Sequence, residues 1–376
     1  MADHPLLTAD PKASYLAHAA EIRAAIDRVL ASGHYILGPE VEAFEREFAT
    51  AQGGGHVIGV ANGTEAIELA LRAIGVQRGD AVATVANTVS ATAAAIEQIG
   101  ARLTFVEIDA ATMVMSAATL ERALVEAGGT IKAIVPVHLY GHPAPMPAIV
   151  ELAQRHGAKV IEDCAQSHGA LVAGRPAGAW GDAAAYSFYP TKNLGAIGDG
   201  GAVYTRDAEL AERVQRLRQY GWRQRYVSEE PGRNSRLDEL QAAILRVKLG
   251  ALAAENETRR KLAARYLERL GQAAAAGARR VTLPAVAADV RPVWHQFVVR
   301  TPEREALRTH LAERGIAAGV LYPTPLHRQP AYAQPELHLP ETEQACAEVL
   351  CLPVHPALSL ADVDRVSDEI LGWLCS

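Results

Sequence analysis

The stretch SFYPTKNLG at residues 187–195 follows a short apolar segment, residues 183–186, and leads into the glycine-rich run GDGG at residues 198–201. The apolar segment predicts a strand, so Lys192 falls in the loop just past a strand end. A lysine between a hydroxyl group that can hold an anion and glycines that let a flat ring approach the backbone suits a Schiff base with pyridoxal phosphate. Most lysines are solvated surface residues, so Lys192 alone does not decide between the two interpretations.

A second stretch, VIEDCAQSHG at residues 160–169, favours the cofactor. It predicts an apolar strand that ends in a carboxylate, a small residue and an amide. Pyridoxal phosphate works as an electron sink only while its ring nitrogen is protonated, and Asp163 can hold that proton through a charge-assisted hydrogen bond. Ala165 is small enough to lie against the ring face, and Gln166 can reach the ring hydroxyl group. Asp163 alone would be better explained as a turn or helix-capping residue.

The third part of the predicted site is a cradle for the cofactor phosphate. In GVANGTEAIELAL, residues 59–71, a strand breaks at Asn62 and Gly63, and a helix with an apolar stripe begins. The free N–H groups of that helix end, its dipole and the Thr64 hydroxyl group would bind the phosphate, as helix N-termini bind anions generally. An Asn-Gly-Thr helix start is common, so this motif supports a cofactor site only together with the motifs of Lys192 and Asp163.

Length, charge and cysteine content limit the class of protein. A chain of 376 residues exceeds the size at which one core stops growing, so two lobes are expected. The formal charge of -6 offers no positive field for a nucleic acid, and no apolar stretch is long enough to span a bilayer. The four cysteines have no C-x-x-C spacing, and residues 1–5 lack the parts of a signal peptide, so a cytoplasmic protein is predicted.

Short apolar runs alternate with helical patterns along the first part of the chain, at residues 57–60, 81–85, 103–106, 131–135 and 159–161. That alternation predicts an α/β fold whose parallel sheet is covered on both faces, with the site beyond the carboxyl ends of the strands. We place the domain boundary within a long amphipathic helix predicted at residues 237–262. The large cofactor-binding domain is then residues 1–245, and the small α+β domain is residues 246–376. The small domain should contain a strand at residues 295–299 and helices at residues 303–314 and 360–374.

In their order along the chain, these motifs are similar to those of the DegT/StrS family of nucleotide-sugar aminotransferases. The similarity extends from GPEVEAFE at residues 38–45 to LPVHP at residues 352–356 and so covers nearly the whole chain. The motifs that carry it are NGTEA at residues 62–66, VHLYG at 137–141, EDCAQ at 162–166, SF with the lysine at 187–192, and RLDELQAA at 236–243. The resemblance implies a fold-type I aminotransferase with a mostly parallel seven-stranded sheet between helices, a small C-terminal α+β domain, and a homodimer.

Carried over position by position, the resemblance implies a complete cofactor site. Lys192 would form the Schiff base, Asp163 would pair with the pyridinium nitrogen, and Gln166 would contact the ring oxygen. Asn234 of the partner subunit would also reach the phosphate. The phosphate ligands from within the chain would be Gly63, Thr64 and Ser187. Many members carry an aromatic side chain over the ring face where this chain has Val89, so an apolar contact is expected there instead of ring stacking.

A basic and aromatic cluster at residues 213–236 is the candidate for substrate binding. Such a cluster could bind single-stranded nucleic acid or form a solvated helix face. Glu229 and Glu230 within it argue against nucleic acid, and the resemblance places this loop near the active site, so a sugar nucleotide is the expected ligand. The candidate substrate residues are Tyr220, Arg223, Arg225, Tyr322 and His327. A turn-capping role explains His327 equally well.

Two histidines have the spacing of metal ligands on one helix face, because His138 and His142 stand four residues apart. Gly141 and Pro143 break a helix at this point, so no metal site is expected.

The expected reaction transfers an amino group from L-glutamate to a keto-sugar nucleotide. The favoured acceptor is C3 of a dTDP-linked 3-keto-6-deoxyhexose, and Lys192 would act as acid and base. Amination at C4 and a glutamine-dependent ketocyclitol aminotransferase are alternatives that share these motifs. A sugar 3-dehydratase of the same fold is disfavoured because it carries histidine where this chain has Lys192. A regulator that binds pyridoxal phosphate without turnover is the non-enzyme alternative, and the intact set of Lys192, Asp163, Gln166 and Ser187 argues against it.

Overall fold

The computed structural model describes residues 5–275 and 281–375. The strands are β1 His56–Val60, β2 Ala81–Val85, β3 Arg102–Val106, β4 Ile131–Val135, β5 Lys159–Asp163, β6 Leu171–Val172, β7 Arg175–Pro176, β8 Ala183–Ser187, β9 Gly201–Thr205, β10 Trp222–Gln224, β11 Val227–Ser228, β12 Val290–Arg291, β13 Phe297–Arg300 and β14 Val349–Leu352. The helices are α1 Pro11–Ala17, α2 Ala19–Ser32, α3 Pro39–Ala51, α4 Gly63–Ala73, α5 Ser90–Gln98, α6 Ala117–Ala127, α7 Met146–His156, α8 Ala208–Leu217, α9 Glu239–Ala275, α10 Arg304–Ala312, α11 Pro340–Glu348 and α12 Leu360–Cys375. The expectation of no signal peptide rests on residues 1–5, of which residues 1–4 lie outside the described residues.

The main sheet has seven strands in the order β1-β9-β8-β5-β4-β2-β3. β2 pairs in parallel with β3 and β4, β4 with β5, and β5 with β8. β9 runs antiparallel to both of its neighbours, β1 and β8. The predicted α/β fold with a mostly parallel seven-stranded sheet is therefore confirmed. β9 was not predicted, because its first residue, Gly201, belongs to a glycine-rich run that is untypical of strands.

Apolar side chains on both faces of the sheet explain why its strands are nearly continuous apolar runs. In β2, Ala81 and Ala83 belong to one buried cluster, while Val82 between them belongs to another on the opposite face. Successive side chains of a strand point to opposite faces, so both faces of β2 are covered. The predicted site residues Asp163 and Ser187 stand at the carboxyl ends of β5 and β8, beyond this apolar packing.

The long helix α9 connects the two ends of the molecule. It contains 37 residues and begins at Glu239, whose buried carboxylate accepts hydrogen bonds from the backbone N–H groups of Gly38 (2.8 Å), Glu40 (2.9 Å) and Val41 (2.8 Å) at the start of α3. A distant carboxylate therefore caps α3, whose own N-cap position is a glycine. The prediction ended this helix at residue 262, and the structure extends it to residue 275.

The second half of α9 packs on the C-terminal part of the chain. Leu252 still belongs to the apolar cluster beneath β1, β8 and α3, whereas Leu262 and Tyr266 belong to the cluster formed with β13, β14 and α12. This second cluster explains why the helix continues beyond its predicted end. The domain division at residues 245 and 246 stays a proposal; the packing partners of α9 change further along, between Leu252 and Leu262. The predicted strand and helices of the C-terminal part correspond to β13, α10 and α12.

Candidate active site

A pocket of about 380 Å³ lies beyond the carboxyl ends of β5 and β8. The structure brings the following predicted residues together in its wall: Gly63, Thr64, Val89, Asp163, Ala165, Gln166, Ser187, Lys192 and Tyr322. They come from segments far apart in the chain that the sheet order makes neighbours. Sites of this kind form outside the carboxyl ends of strands in α/β sheets.

Asp163 is the last residue of β5, and its carboxylate is buried at the pocket. Its Oδ2 atom accepts a hydrogen bond from the Thr92 hydroxyl group (2.9 Å), and its Oδ1 atom accepts one from the backbone N–H of Ala165 (3.1 Å). Burial raises the pKa of Asp163, against the opposing effect of those two hydrogen bonds and of the Lys192 charge. A fixed carboxylate with a raised pKa is a strong acceptor for a protonated ring nitrogen.

Lys192 supplies an amine whose proton affinity is reduced. Its backbone N–H donates to the carbonyl of Tyr189 (2.8 Å), which holds the loop. Burial lowers the pKa of the Lys192 amine to about 8, and the nearby Asp163 charge opposes that shift. An amine with this pKa is partly unprotonated near neutral pH, and only the unprotonated form attacks a carbonyl carbon.

The end of α4 forms an anion cradle next to these two groups. Asn62 caps the helix by accepting a hydrogen bond from the N–H of Glu65 (2.9 Å). A Cβ atom at Gly63 would stand 2.6 Å from the Cβ atom of Ser187, so only glycine lets the helix end come this close to β8. Helix N–H groups and the hydroxyl groups of Thr64 and Ser187 thus surround one part of the pocket. A cradle for a phosphate, a buried carboxylate and an amine fit pyridoxal phosphate.

Gln166 has an amide whose orientation is fixed by the backbone. Its Oε1 atom accepts a hydrogen bond from the N–H of Tyr140 (2.6 Å), and its Nε2 atom donates to the hydroxyl group of Tyr322 (3.3 Å). The donor end of the amide therefore lies on the Tyr322 side, where a ring oxygen could accept from it. Val89 lines the pocket with 39% of its surface exposed.

The predicted residues of the loop between α8 and α9 lie outside this pocket. Asn234 is exposed and pairs through its backbone with Gln219. Arg223 forms an ion pair with Glu229 (3.1 Å), and the guanidinium group of Arg225 lies 4.9 Å from the centre of a neighbouring tyrosine ring. These side chains and the half-exposed Tyr220 are accessible on this chain.

His327 is not among the residues that line the pocket. Its ring is fully buried, and its Nε2 atom lies 2.9 Å from the carboxylate of Glu343 in α11. His327 lies in the 3-10 turn Leu326–Arg328, and this bond connects the turn with α11. Both interpretations of His327 stay predictions.

Comparison with known proteins agrees with this geometry. The model of the DegT/DnrJ/EryC1/StrS aminotransferase family matches residues 17–371. The chain belongs to this aminotransferase family. It is a transaminase that uses pyridoxal phosphate.

Individual relatives match over nearly their whole length. A Streptomyces venezuelae protein named dTDP-3-amino-3,4,6-trideoxy-alpha-D-glucose transaminase is 47% identical over 97% of this chain and 95% of its own. A Geobacillus stearothermophilus protein named pleiotropic regulatory protein is 45% identical over 93% of each chain. The crystal structure of S. venezuelae DesV in complex with a ketimine intermediate superposes with a TM-score of 0.94 at 46% identity and covers 99% of each chain.

Several pocket residues of this aminotransferase were not identified from the sequence. Asp199, His295 and Gln296 line the pocket, and Thr92 contacts it through its hydrogen bond to Asp163. Asp199 stands in the glycine-rich run at residues 198–201, so its place in the pocket could have been predicted from the sequence. The other three lie in predicted helical or strand segments, where polar side chains carry no local mark of a site.

One buried group of potential metal ligands lies on the other face of β5, formed by His138, Glu162 and Cys164. The Nε2 atom of His138 bonds to Glu162 (3.0 Å), and its Nδ1 atom accepts from the N–H of Ala144 (3.0 Å). The Glu162 carboxylate also accepts hydrogen bonds from the backbone N–H groups of residues 178, 180 and 181. These partners already use the ligand atoms of His138 and Glu162, which makes the group a structural hydrogen-bond cluster.

The pKa of Lys192 predicts a stability effect that depends on pH. In the cofactor-free folded protein the amine titrates at about 8, whereas its ordinary value is 10.5. Below pH 8 both folded and unfolded chains are protonated, and the buried charge costs the folded state up to about 3 kcal/mol. Between pH 8 and 10.5 only the unfolded chain keeps the proton, so that cost disappears as pH rises. We expect Lys192→Met to be more stable than the wild type below pH 8, with the difference closing by pH 10.5.

Denaturant unfolding of the cofactor-free proteins across this pH range measures the effect. Lys132→Met is the matched control, because Lys132 is exposed on β4, and its difference from the wild type should show no such pH dependence. A constant stability difference for Lys192→Met at every pH would contradict the lowered pKa.

Proposed function

We propose that this enzyme transfers the amino group of L-glutamate to C3 of a dTDP-linked 3-keto-6-deoxyhexose. The observation that carries the proposal is the shared pocket of Lys192, Asp163 and the anion cradle at Gly63. The name of the S. venezuelae relative specifies a dTDP-linked sugar with its amino group at C3, which supports that position here.

Each residue has a distinct task in this proposal. Pyridoxal phosphate, when bound, supplies a ring that accepts the electron pair left when the donor loses its α-proton. Lys192 removes that proton and returns one, because its amine can exchange protons near neutral pH. Asp163 keeps the ring nitrogen protonated, and the cradle of Gly63, Thr64 and Ser187 holds the phosphate. The donor end of Gln166 holds the ring oxygen.

A second cavity supports a substrate longer than an amino acid. It has a volume of about 340 Å³ and shares Val89 and Tyr322 with the first pocket, so the two are adjacent. Ser90 and Thr324 contribute hydroxyl groups to its wall, and Arg328 contributes a guanidinium group that is also paired with Glu343 (2.9 Å). Such groups suit the diphosphate of a sugar nucleotide whose keto group is held in the inner pocket.

We place the enzyme in a homodimer with shared active sites. Asn234 lies outside the pocket of its own chain, which is the position expected if it serves the partner subunit. The pocket rim exposes Val89 and Tyr189, at 39% and 54%, and the hairpin of β10 and β11 exposes Tyr226 at 73%. Apolar and aromatic surface of this kind is typical of an interface. In the dimer, Tyr220, Arg223 and Arg225 would approach the partner's substrate.

We also propose that the protein works in the cytoplasm. All four of its cysteines are free, and three of them are buried, which suits a reducing compartment. Within residues 5–275 and 281–375, no helix has the length and apolar character needed to cross a bilayer.

A regulator without turnover is the second candidate, because one close relative is named a pleiotropic regulatory protein. The titratable amine of Lys192 beside Asp163 favours the enzyme, since a binding protein needs no group that exchanges protons near neutral pH.

The substrate proposal predicts a specific product. The purified holoenzyme, offered matched 3-keto and 4-keto dTDP-6-deoxyhexoses with L-glutamate, should aminate the 3-keto sugar at least tenfold faster, a difference of about 1.4 kcal/mol in transition-state stabilisation. Mass spectrometry and NMR of the product identify the carbon that carries nitrogen. Lys192→Ala is the control for non-enzymatic amination.

Other outcomes of this experiment would replace the proposal. Faster amination of the 4-keto sugar would establish the C4 alternative, and amination of a ketocyclitol with glutamine would establish the cyclitol alternative. Cofactor binding without turnover of any of these substrates would favour the regulator.

The dimer proposal predicts complementation between inactive variants. Lys192→Ala lacks the amine, and Asn234→Asp puts a negative charge beside the partner's phosphate. After subunit exchange, about half of the dimers are mixed and half of their sites carry neither change, so about a quarter of wild-type activity should return. The activity of the exchanged mixture, measured against unmixed variants, gives the result.

A second pair of variants is the matched control. Lys192→Ala mixed with Asp163→Asn should show no recovery beyond the separate variants, because both residues line the pocket of one chain. If proven exchange of the first pair restored nothing, each active site would be built within a single subunit.

A further inference from the structure

Buried amide side chains connect α9 with the loop that carries Lys192. Asn256 in α9 donates from Nδ2 to the backbone carbonyl of His168 (2.8 Å). A backbone carbonyl can only accept, so the Oδ1 atom of Asn256 points the other way, where it accepts from Nδ2 of Asn193 (2.8 Å). The same Nδ2 atom of Asn193 donates to the carbonyl of Val293 (3.1 Å). Backbone atoms therefore fix the orientation of both amides.

This orientation determines the tautomer of His295. The Oδ1 atom of Asn193 lies 3.1 Å from the Nδ1 atom of the ring. Since that oxygen has no proton to give, Nδ1 must carry the proton and donate it. Burial, helped by the positive charges of Lys192 and Arg259 and by the nearby His168, holds the pKa of His295 well below its usual range. The ring is therefore neutral, and its Nε2 atom carries an unshared electron pair.

The Nε2 atom of His295 and the amine of Lys192 are complementary groups in one cavity. Both residues line the pocket, and His295 is only 4% exposed. Among the described residues, neither Nε2 of His295 nor Nζ of Lys192 has a hydrogen-bond partner. Neither atom is sealed from the pocket space, so each can form a hydrogen bond with a group that reaches it there.

We propose that His295 is a further catalytic residue, whose Nε2 atom accepts a hydrogen bond from the Lys192 amine whenever that amine is not linked to the cofactor. The bond directs one N–H of the lysine toward the imidazole and leaves the unshared pair of the nitrogen free to take a proton from the donor. Asn193 and Asn256 are positioning residues, because they act only through the orientation of His295. The role in catalysis rests on the proposed transamination, whereas the tautomer and the contact do not.

The tautomer and the contact can be tested without turnover. In the full-length cofactor-free protein labelled with 15N-histidine, two-bond proton–nitrogen NMR at pH 7 should show His295 as the neutral Nδ1-protonated form. The resonance is assigned by its loss in His295→Gln. Lys192→Ala should shift the Nε2 signal, because the hydrogen bond is lost, while Lys132→Met, an exposed control, should leave it in place. An Nε2-protonated or charged ring in the wild type, or no shift in Lys192→Ala, would overturn the proposal.

A kinetic isotope effect tests the role in catalysis. With α-deuterated glutamate, His295→Phe should lower the rate of the donor half-reaction at least tenfold and increase the isotope effect, with the KM for glutamate and the affinity for pyridoxal phosphate little changed. His295→Gln, whose amide can donate to Asn193 and turn its oxygen to the pocket, should restore part of the rate. Weakened cofactor affinity in both variants with an unchanged isotope effect would assign His295 a structural role only.

These two measurements separate the inference from the proposed function. If the wild type does not react with glutamate but shows the expected tautomer and the Lys192-dependent shift, the donor assignment fails and the contact stands. If the wild type turns over with glutamate but His295 has the other tautomer, the function stands and the inference fails.

Discussion

Parallel pairing of β5 with β8 is the constraint on which the site depends. The register places Asp163 opposite Ala185, and the N–H of Cys164 just beyond β5 donates to the carbonyl of Ala185 (2.8 Å). The two strands therefore end side by side, so that the carboxylate of Asp163 and the loop of Lys192 leave the sheet at one edge. A slip of one residue in either strand would send one of these groups to the opposite face.

Adjacent carboxylates on β5 illustrate how one strand serves both structure and chemistry. Because successive side chains alternate between faces, Glu162 points away from the pocket that Asp163 lines. Glu162 accepts hydrogen bonds from the backbone N–H groups of Gly178, Trp180 and Gly181, which fastens the turn before β8. The buried structural carboxylate is thus fully engaged, while the neighbouring one keeps capacity for a ligand.

The sequence predicted those parts of the site that stand at the ends of local elements. Asp163 and Gly63 could be identified because strand ends and helix starts have short-range signatures. The hydrogen bond of Thr92 to Asp163 joins residues 71 positions apart, and that of Asn193 to Asn256 joins residues 63 apart, so only the folded chain reveals them. The length of α9 was underestimated for the same reason, because its second half is stabilised by packing against β13, β14 and α12. The local sequence pattern indicates neither these two hydrogen bonds nor the packing partners of α9.

The central claim is that Lys192 carries pyridoxal phosphate. Borohydride reduction of the native holoenzyme makes the lysine–cofactor bond permanent, and peptide mass spectrometry then locates the added mass. We predict a single modified peptide that contains Lys192. Attachment to another lysine, or no attachment in a protein that holds the cofactor, would contradict the account.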